Sequence, residues 1–393
     1  MNTEGGVAVA YLDHAATTPL RPEAAAAMAP YLGERFGNPS GGHQLAREAR
    51  RAVDEAREVV AALLGFSPGE VVFTSGGTEA ANLAVAGVLT AHDGSRAAVC
   101  SSIEHPAVLE SARAAAGVRV ALAPVDDDGV LLVDGLVGLL DDEVALVSVM
   151  TANNEVGTVQ PLADVVARVR RSAPSAVVHT DAVQAAPWLD LPAVTAGVDL
   201  VSVSAHKLGG PKGVGALGVR SGTPLRPLLF GGGQERGLRS GTHDVAGIVG
   251  LAAAFQAAVD EQAVEAARVG ALRDRLRAGL VERVPGSVAT ATGRTLLPGH
   301  CHFRFDGVEQ EELLFVLDAA GICASGGSSC ASGALEPSHV LLAMGVGADD
   351  ARSAVRFTLG RTTAEAEVDR VLSVVPDAVA RLRSGSEEVR RAG

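Results

Sequence analysis

Asp199-Leu-Val-Ser-Val-Ser-Ala-His-Lys-Leu-Gly-Gly-Pro-Lys-Gly213 begins as a short apolar run and passes directly into polar residues and a glycine-rich turn. The run is rich in valine and does not alternate cleanly between apolar and polar residues. It therefore predicts a strand that is buried on both faces, as in parallel sheets covered by helices. Ligands bind at the carboxyl ends of such strands in open α/β folds, so residues 204–207 are candidates for a site.

Similar apolar runs recur along the chain before this stretch, and helical patterns separate several of them. The predicted strands are Val71–Thr74, Ala97–Ser101, Val118–Leu122, Val144–Met150, Val177–Thr180 and Leu200–Ser204. The predicted helices are His43–Leu64, Thr78–Thr90 and Leu162–Arg171. This alternation predicts an α/β fold with a mainly parallel, doubly wound sheet.

The pattern changes after about residue 250, which predicts a smaller α+β domain at the C-terminal end. Its expected elements are the helices Ile248–Arg283, Gln310–Ala320 and Ala364 to about Leu382, and strands near Ser287–Thr292, Cys301–Phe305 and Val355–Leu359. We assign residues 15–255 to a large domain, and residues 1–14 with 256–393 to the small one. The last residues, Ser384–Gly393, are expected to form a frayed, charged tail.

Composition excludes several classes of protein. A chain of 393 residues with 47% hydrophobic and 20% charged residues can build a large core. A net charge of −13 argues against binding to nucleic acid or to an anionic membrane. We see neither a signal peptide nor a membrane span, and cysteines at 100, 301, 323 and 330 form no disulfide framework or zinc site. The sequence thus predicts a cytoplasmic protein without a metal.

Lysine usage is the sharpest compositional signal. Of the 33 basic residues only two are lysines, Lys207 and Lys212. An arginine does not form a Schiff base with a carbonyl group under ordinary conditions, whereas a desolvated lysine amine does. Lys207 follows the buried strand directly, and Lys212 lies in the turn where water reaches it. Lysine chemistry is therefore expected at Lys207, the alternative being an ordinary surface lysine.

Phe73-Thr-Ser-Gly-Gly-Thr-Glu-Ala-Ala-Asn82 predicts a strand, a glycine turn and the start of a helix. The free N–H groups of a helix N-terminus suit a phosphate, and Thr78 adds a hydroxyl. The alternative is an ordinary turn with Thr78 as the N-cap. The chain contains no GxxxxGK[ST] motif, which argues against a nucleotide-binding P-loop.

A carboxylate ends the predicted strand Val177–Thr180, in Val178-His-Thr-Asp181-Ala-Val-Gln184. At this edge of the sheet Asp181 could pair with a protonated ring nitrogen and keep a pyridinium charged. The alternative is an aspartate that caps a helix.

A serine- and glycine-rich segment, Ala324-Ser-Gly-Gly-Ser-Ser-Cys-Ala-Ser-Gly-Ala-Leu-Glu-Pro-Ser338, carries Cys330. Residues Ser325–Gly333 are almost free of apolar side chains, which predicts an exposed loop. Free cysteines are usually buried, so one in an exposed loop is a candidate nucleophile; the alternative is a linker with an incidental cysteine. Cys100, Cys301 and Cys323 lie in or beside apolar runs and are expected to be inert.

The ordered set of motifs resembles the cysteine desulfurases, pyridoxal-phosphate (PLP) enzymes of the class V branch of the fold-type-I aminotransferase superfamily. The resemblance covers about residues 11–383. It rests on Leu12-Asp-His-Ala-Ala-Thr-Thr-Pro19, Phe36-Gly-Asn-Pro-Ser40, Thr78, His105, Asn153-Asn-Glu155, Asp181-x-x-Gln184, Ser204-x-His-Lys207 and Arg239-Ser-Gly-Thr242.

The resemblance implies that Lys207 forms the Schiff base with PLP and, once released, acts as the base. It places Asp181 at the pyridine nitrogen and stacks His105 on the ring, where His105 helps to move protons. Gln184 would bond the phenolic oxygen, and Asn154 would lie close to substrate and cofactor.

The same resemblance implies a phosphate site and a substrate clamp. The phosphate would be held by Gly77, Thr78, Ser204 and His206, with Thr242 reaching in from the second subunit of a homodimer. Arg356 would bind the substrate carboxylate as a bidentate pair. For Arg356 a structural ion pair is the alternative.

The Cys330 segment resembles the long-loop group, which has Ser-Ser-Gly-Ser-Ala-Cys where this chain has Ser-Gly-Gly-Ser-Ser-Cys. It implies that L-cysteine gives L-alanine and a persulfide on Cys330, which passes sulfur to an acceptor protein. The acceptor stays open among iron–sulfur cluster biogenesis, tRNA thiolation and DNA sulfur modification. The alternatives are a selenocysteine lyase, another class V enzyme such as an aminotransferase, and a non-catalytic docking platform.

Overall fold

The computed structural model of the protein describes residues 9–92, 97–292, 295–327 and 337–392, with 386–392 by backbone alone. Its strands are β1 (Ala10–Tyr11), β2 (Val71–Thr74), β3 (Ala97–Ser101), β4 (Arg119–Ala123), β5 (Val144–Ser148), β6 (Val177–Asp181), β7 (Leu200–Ser204), β8 (Gly215–Val219), β9 (Ser287–Ala289), β10 (His300–Phe305), β11 (Ile322–Cys323) and β12 (Ala354–Thr358).

Helices cover both faces of the main sheet and continue into the C-terminal part. They are α1 (Pro22–Met28), α2 (Gln44–Leu64), α3 (Gly77–Ala91), α4 (Pro106–Ala114), α5 (Val133–Val137), α6 (Leu162–Ser172), α7 (Leu191–Val194), α8 (Val245–Arg283), α9 (Gln310–Ala319), α10 (His339–Ala343), α11 (Ala348–Ala351) and α12 (Glu365–Ala392). None of the helices within the described ranges is long and apolar enough to cross a membrane.

The main sheet has seven strands in the order β2-β8-β7-β6-β5-β3-β4. Strands β4, β3, β5, β6 and β7 pair in parallel, whereas β8 pairs antiparallel with both β7 and β2. Strand β2 therefore runs in the same direction as β7, and all strands of this sheet except β8 end at the same edge. The predicted doubly wound, mainly parallel sheet is confirmed, and its carboxyl edge is the place where a ligand site is expected.

Strand β8 is the main-sheet strand that the sequence reading missed, and the two-residue strands β1 and β11 were missed as well. The sequence of β8, Gly-Ala-Leu-Gly-Val, has too few side chains for a periodic pattern. A methyl group on Gly215 would lie 2.7 Å from both the Gly76 carbonyl carbon and the Val203 carbonyl oxygen. One on Gly218 would lie 2.9 Å from Cζ of Phe66. These glycines are needed because neighbouring groups approach the strand closely.

Helix α8 contributes to two separate hydrophobic cores. Ile248 and Phe255, near its start, pack in the core around the main sheet. Leu276, near its end, packs with the side chains of β10 and β12, in a second core that also contains Leu12. Strands β12, β10 and β9 form a small antiparallel sheet there, and β1 pairs in parallel with β11. The predicted domain division near residue 255 lies within α8 and stays a prediction.

The predicted element bounds agree with the structure to within about two residues, with three exceptions. Helix α8 begins at Val245, three residues before the predicted Ile248. Strand β9 ends at Ala289 rather than near residue 292. The expectation of a frayed tail from Ser384 is wrong for the backbone, because α12 stays helical through Ala392. Each residue added to an existing helix gains a hydrogen bond for one ordered residue, and no proline follows Pro376 to interrupt it.

Candidate active site

A cavity of about 620 Å³ opens at the carboxyl edge of the main sheet. It brings together ten of the residues that the sequence singled out: Gly77, Thr78, His105, Asn154, Asp181, Gln184, Ser204, His206, Lys207 and Arg356. The topology explains this convergence, since most of them follow the ends of β2, β3, β5, β6 and β7. Within the described part of this chain Thr242 is exposed and lies outside the cavity wall. Cys330 lies outside the described residues.

Lys207 lies in the cavity wall immediately after β7, in the helical turn Ala205–Lys207. Its half-buried amine donates hydrogen bonds to the carbonyl oxygens of Ala15 (2.5 Å) and Ala16 (2.6 Å). Lys212 is exposed and is not part of the wall. Of the two lysines, the structure therefore holds Lys207 in the cavity and leaves Lys212 in solvent.

Asp181 is the last residue of β6, and only 8% of it is exposed. Its Oδ1 accepts a hydrogen bond from the backbone N–H of Val183 at 2.9 Å, so the side chain caps the following turn as well as facing the cavity. Burial raises the pKa of Asp181, and the neighbouring His105 and Lys207 oppose that rise. A cation placed against this carboxylate would be strongly favoured, since burial leaves the charge poorly solvated.

His105 is the N-cap of α4, and its Nδ1 accepts a hydrogen bond from the backbone N–H of Ala107 at 3.1 Å. Burial lowers the pKa of His105, which keeps the ring neutral. Because Nδ1 is the acceptor, the ring proton of the neutral form lies on Nε2. His105 can therefore donate a proton or stack on a ring, but it can take up a proton only by giving up its helix cap. Lys207 is the better candidate for the base.

The turn between β2 and α3 forms a cradle for an anion. Helix α3 begins at Gly77, and a methyl group there would lie 2.9 Å from Cγ2 of Val183 and 3.4 Å from Cβ of Ser204. The first N–H groups of the helix have no partner within it and favour negative charge. The hydroxyls of Thr78 and Ser204 line the same cavity. This end of the cavity fits a phosphate group, and Asp181 fits a ring nitrogen, so the residues present fit PLP.

Arg356 on β12 is almost fully buried, with 2% exposed. Its Nη2 donates to Oδ1 of Asp13 at 2.8 Å, and its Nη1 donates to the carbonyl oxygen of Asn154 at 2.8 Å. The structural ion pair that was the alternative therefore exists. It does not exclude a role in binding, because Arg356 also lines the cavity and each nitrogen of its fork carries a further N–H.

Residues Ser325–Gly327, which lead into the segment of Cys330, are buried. The expectation of an exposed loop is wrong for these three residues, because Ser325 pairs with the backbone of Arg356 and glycines fit against the protein. Gly327 on one side and Pro337 on the other both line the cavity. The remaining residues of that predicted loop, including Cys330, lie outside the described ranges.

Sequence reading also missed three carboxylates in or beside the site: Glu155 lines the cavity, Asp13 pairs with Arg356, and Glu104 directly precedes His105. Each of the three lies within one of the motifs on which the resemblance rests, or directly beside a residue of such a motif. This position in the sequence is the signal that could have identified them. What the sequence could not show is that Glu104 and Glu155 are almost completely buried, with 0% and 2% exposed. Acidic residues are rarely buried to this extent without a purpose in the site or the fold.

Glu104 begins a chain of polar groups buried in the main sheet. Its Oε1 accepts from the backbone N–H of Met150 at 2.6 Å, and its Oε2 lies 3.3 Å from Oγ of Ser148. Ser148 Oγ lies 2.8 Å from Nδ1 of His179, whose Nε2 lies 2.9 Å from Oγ of Ser202. Ser148 Oγ donates to Oε2 of Glu104, so Nδ1 of His179 donates to Ser148, and Ser202 Oγ donates to Nε2 of His179. Every side chain of this buried network therefore has a partner when the imidazole is neutral.

Replacing Glu104 with glutamine should change how stability depends on pH. Burial, followed by the charge of Asp181, raises the pKa of Glu104 from its ordinary value of 4.5 to about 8. Folding then takes up a proton between these values, so this contribution to stability is complete below pH 4.5 and is lost as the pH rises through 8. Glu104→Gln escapes that loss. Relative to the wild type, its free energy of unfolding should rise by about 2–3 kcal/mol between pH 6 and pH 9.

Denaturant unfolding of both proteins at the two pH values measures this difference. If the difference in free energy of unfolding between variant and wild type is the same at pH 6 and pH 9, Glu104 is already ionised in the folded protein.

Comparisons with known proteins agree with the site. Residues 10–371 match the family Aminotransferase class-V. The chain is 46% identical over 386 residues to the IscS-like cysteine desulfurase of Mycobacterium tuberculosis, covering 95% of this chain and 97% of the relative. It is 45% identical over 390 residues to the cysteine desulfurase of Cereibacter sphaeroides, covering 97% and 99%. A solved structure of a NifS-like protein superposes with a TM-score of 0.89 at 38% identity, covering 95% of this chain and all of that one. The chain is therefore a member of the class-V aminotransferase family and belongs, within it, to the cysteine desulfurases.

Proposed function

We propose that this protein is a PLP-dependent cysteine desulfurase, which converts L-cysteine to L-alanine and keeps the sulfur as a persulfide on Cys330. One observation carries the proposal: a single cavity contains Lys207, Asp181 and a phosphate cradle, and both flanks of the Cys330 segment line its wall. Membership of the family supports the same reaction. The protein's own residues supply binding, orientation and proton transfer.

Bound PLP supplies an electron sink that stabilises the charge left on the substrate α-carbon when its proton leaves. Asp181 would pair with the ring nitrogen and favour its protonated form. Gln184 Nε2 donates one hydrogen to the carbonyl oxygen of Ala15 at 2.9 Å and has a second for the phenolic oxygen. The phosphate is held by Gly77, Thr78, Ser204 and His206. Burial lowers the pKa of His206 to about 4, so this side chain binds as a neutral donor.

Lys207 would hold the cofactor through its amine and would take the proton from the substrate α-carbon. Arg356 orients the substrate by its carboxylate, with Asn154 beside it. The ion pair to Asp13 fixes the plane of the guanidinium before substrate arrives.

Cys330 completes the reaction as the sulfur acceptor within the protein. Its thiolate attacks the substrate's sulfur, and the carbon–sulfur bond breaks with its electron pair going to the substrate carbon. A proton then adds to this β-carbon, the α-carbon regains the proton that Lys207 removed, and alanine results. The thiolate form is required because the neutral thiol is a weak nucleophile.

We further propose a homodimer in which Thr242 completes the phosphate site of the second subunit. Arg239 Nε donates to Oε1 of Glu79 at 2.8 Å, which ties this segment to the first turn of α3, while Thr242 itself is exposed. Nearby Leu229 and Phe230 are 45% and 83% exposed, as interface residues are before assembly. A monomer in analytical ultracentrifugation of the PLP-loaded protein would remove this proposal. The persulfide is expected to pass to an acceptor protein.

Incubation of the purified, PLP-loaded protein with L-cysteine tests the function. Alanine and enzyme-bound persulfide should form in equal amounts in a single turnover, and sulfide should appear when a reducing thiol is present. Parallel reactions with L-selenocysteine, and with L-alanine plus a 2-oxo acid, test for the lyase and the aminotransferase. Turnover of selenocysteine alone would favour the lyase, and a protein that does not bind PLP would favour the docking platform.

A further inference from the structure

We propose that Glu155 and Ser338 hold the two flanks of the Cys330 segment against the cavity and so act as positioning residues for sulfur transfer. The inference rests on the proposed function, because it assigns a purpose to a segment whose thiol takes the sulfur. The inference goes beyond the proposed function because it names the residues that fix this segment to the site.

The N-terminal flank is fixed by Arg356 and Glu155. Ser325 exchanges backbone hydrogen bonds with Arg356, with N···O distances of 3.2 Å and 2.6 Å, and Ser325 Oγ accepts from the N–H of Gly327 at 3.2 Å. Gly327 has a φ of +87° and lies against the Glu155 carboxylate, so a methyl group on it would be 3.1 Å from Oε2. This contact leaves no space for a larger residue.

The C-terminal flank is fixed to the same carboxylate oxygen. Ser338 Oγ donates to Oε2 of Glu155 at 2.5 Å, and it accepts from the backbone N–H groups of Val340 and Leu341 as the N-cap of α10. Ser338 is 5% exposed and Glu155 is 2% exposed. The Glu155 carboxylate therefore bonds the C-terminal flank through Ser338 and packs against Gly327 of the N-terminal flank.

Glu155 is itself held rigidly next to the substrate clamp. Its backbone N–H donates to Oδ1 of Asn153 at 2.8 Å, and the carbonyl oxygen of the adjacent Asn154 accepts from Arg356 at 2.8 Å. Arg356, which would orient the substrate carboxylate, is thus hydrogen-bonded to the residue directly before Glu155.

Tying the two ends of a short segment together raises the effective concentration of any group on it at a nearby point. Residues 328–336 connect the two flanks, and Gly327 and Pro337 at their two ends line the cavity. Loss of the bond between Ser338 and Glu155 would lower the frequency with which the thiol meets the substrate's sulfur. It would leave the groups that bind PLP and remove the α-proton in place. Burial raises the pKa of Glu155, and the bond survives either way because a neutral carboxyl oxygen also accepts.

Two rates measured on the PLP-loaded enzyme separate this role from a general defect of the cavity. The first is single-turnover formation of persulfide on Cys330, followed by mass spectrometry. The second is exchange of the α-hydrogen of L-alanine in deuterated water, which needs the cofactor and the base but no thiol. Ser338→Ala and Glu155→Ala remove the bond from its two sides, and only the first also removes the cap of α10. Ser338→Thr keeps the hydroxyl, and Glu155→Gln keeps an accepting oxygen.

Both alanine variants should lose about ten-fold in the rate of persulfide formation and keep alanine exchange within about two-fold. The threonine and glutamine variants should keep both rates within about three-fold of the wild type. A normal persulfide rate in the alanine variants overturns the inference, as does an equal fall of both rates. If Glu155→Ala has a lowered Tm, the comparison of Ser338→Ala with Ser338→Thr decides whether the inference holds. Cys330→Ala is measured alongside. If this variant still forms a persulfide, the proposed function fails. If it forms none while Ser338→Ala forms persulfide at the normal rate, only the inference is rejected.

Discussion

Lys207→Ala abolishes the visible absorption of protein-bound cofactor and removes activity towards L-cysteine. The amine at this position is proposed both to hold PLP covalently and to take the α-proton, and no other lysine lines the described cavity wall. General base catalysis alone is worth about 100- to 10,000-fold, so turnover should fall by at least about a thousand-fold. Absorption spectra of the purified variant with added PLP, together with an alanine assay, measure both effects.

The chain provides a matched control in its other lysine. Lys212 lies five residues further on and is exposed, so Lys212→Ala should keep the spectrum and the activity. Borohydride reduction followed by peptide mass spectrometry should place the pyridoxyl group on Lys207 in the wild type. A label on Lys212, or a normal visible band in Lys207→Ala, would show that the cofactor is bound elsewhere.

Cys330→Ala separates the two halves of the reaction. The variant should bind PLP with a normal spectrum and should still exchange the α-hydrogen of L-alanine, because neither step uses the thiol. Persulfide formation from L-cysteine should fall below detection, and alanine production should fall with it. Mass spectrometry of the protein after one turnover, with an alanine assay on the same sample, measures this loss.

Cys323→Ala is the control for this variant. Cys323 lies in β11 just before the segment of Cys330, and its side chain is partly exposed. Burial raises the pKa of Cys323, and the charges of Asp318 and Asp13 add to the rise, so its thiolate is disfavoured. The control should keep normal activity. Sulfide release at the wild-type rate by Cys330→Ala would remove this cysteine from the mechanism.

The sequence predicted the fold and the residues of the cavity because both depend on local patterns. Valine-rich runs mark strands buried on both faces, and polar residues directly after such runs mark the edge where ligands bind. Asp181 and Lys207 were found in this way before any family was considered. Arg356 depended on the resemblance because it lies on β12, outside the main sheet. Gln184 lies three residues after the end of β6, but its role at the cofactor came only from the resemblance.

Features that depend on contacts between distant residues could not be predicted. Burial of Glu104 requires the network formed by three strands, and nothing in the sequence around it differs from an exposed acid. Strand β8 has no periodic pattern, because its glycines reflect the space left by Gly76 and Phe66 rather than a preference of the segment. The burial of Ser325–Gly327 likewise comes from a partner about 30 residues away on β12.

The close packing around Gly215 restricts which substitutions this position can accept during evolution. Gly215 lies outside the cavity wall, yet an added methyl group would meet the backbone of Gly76, the N-cap of α3. A mutation there would shift the turn that presents free N–H groups to the phosphate. A substitution at a residue that does not line the cavity can therefore weaken cofactor binding, although this residue would make no contact with the cofactor.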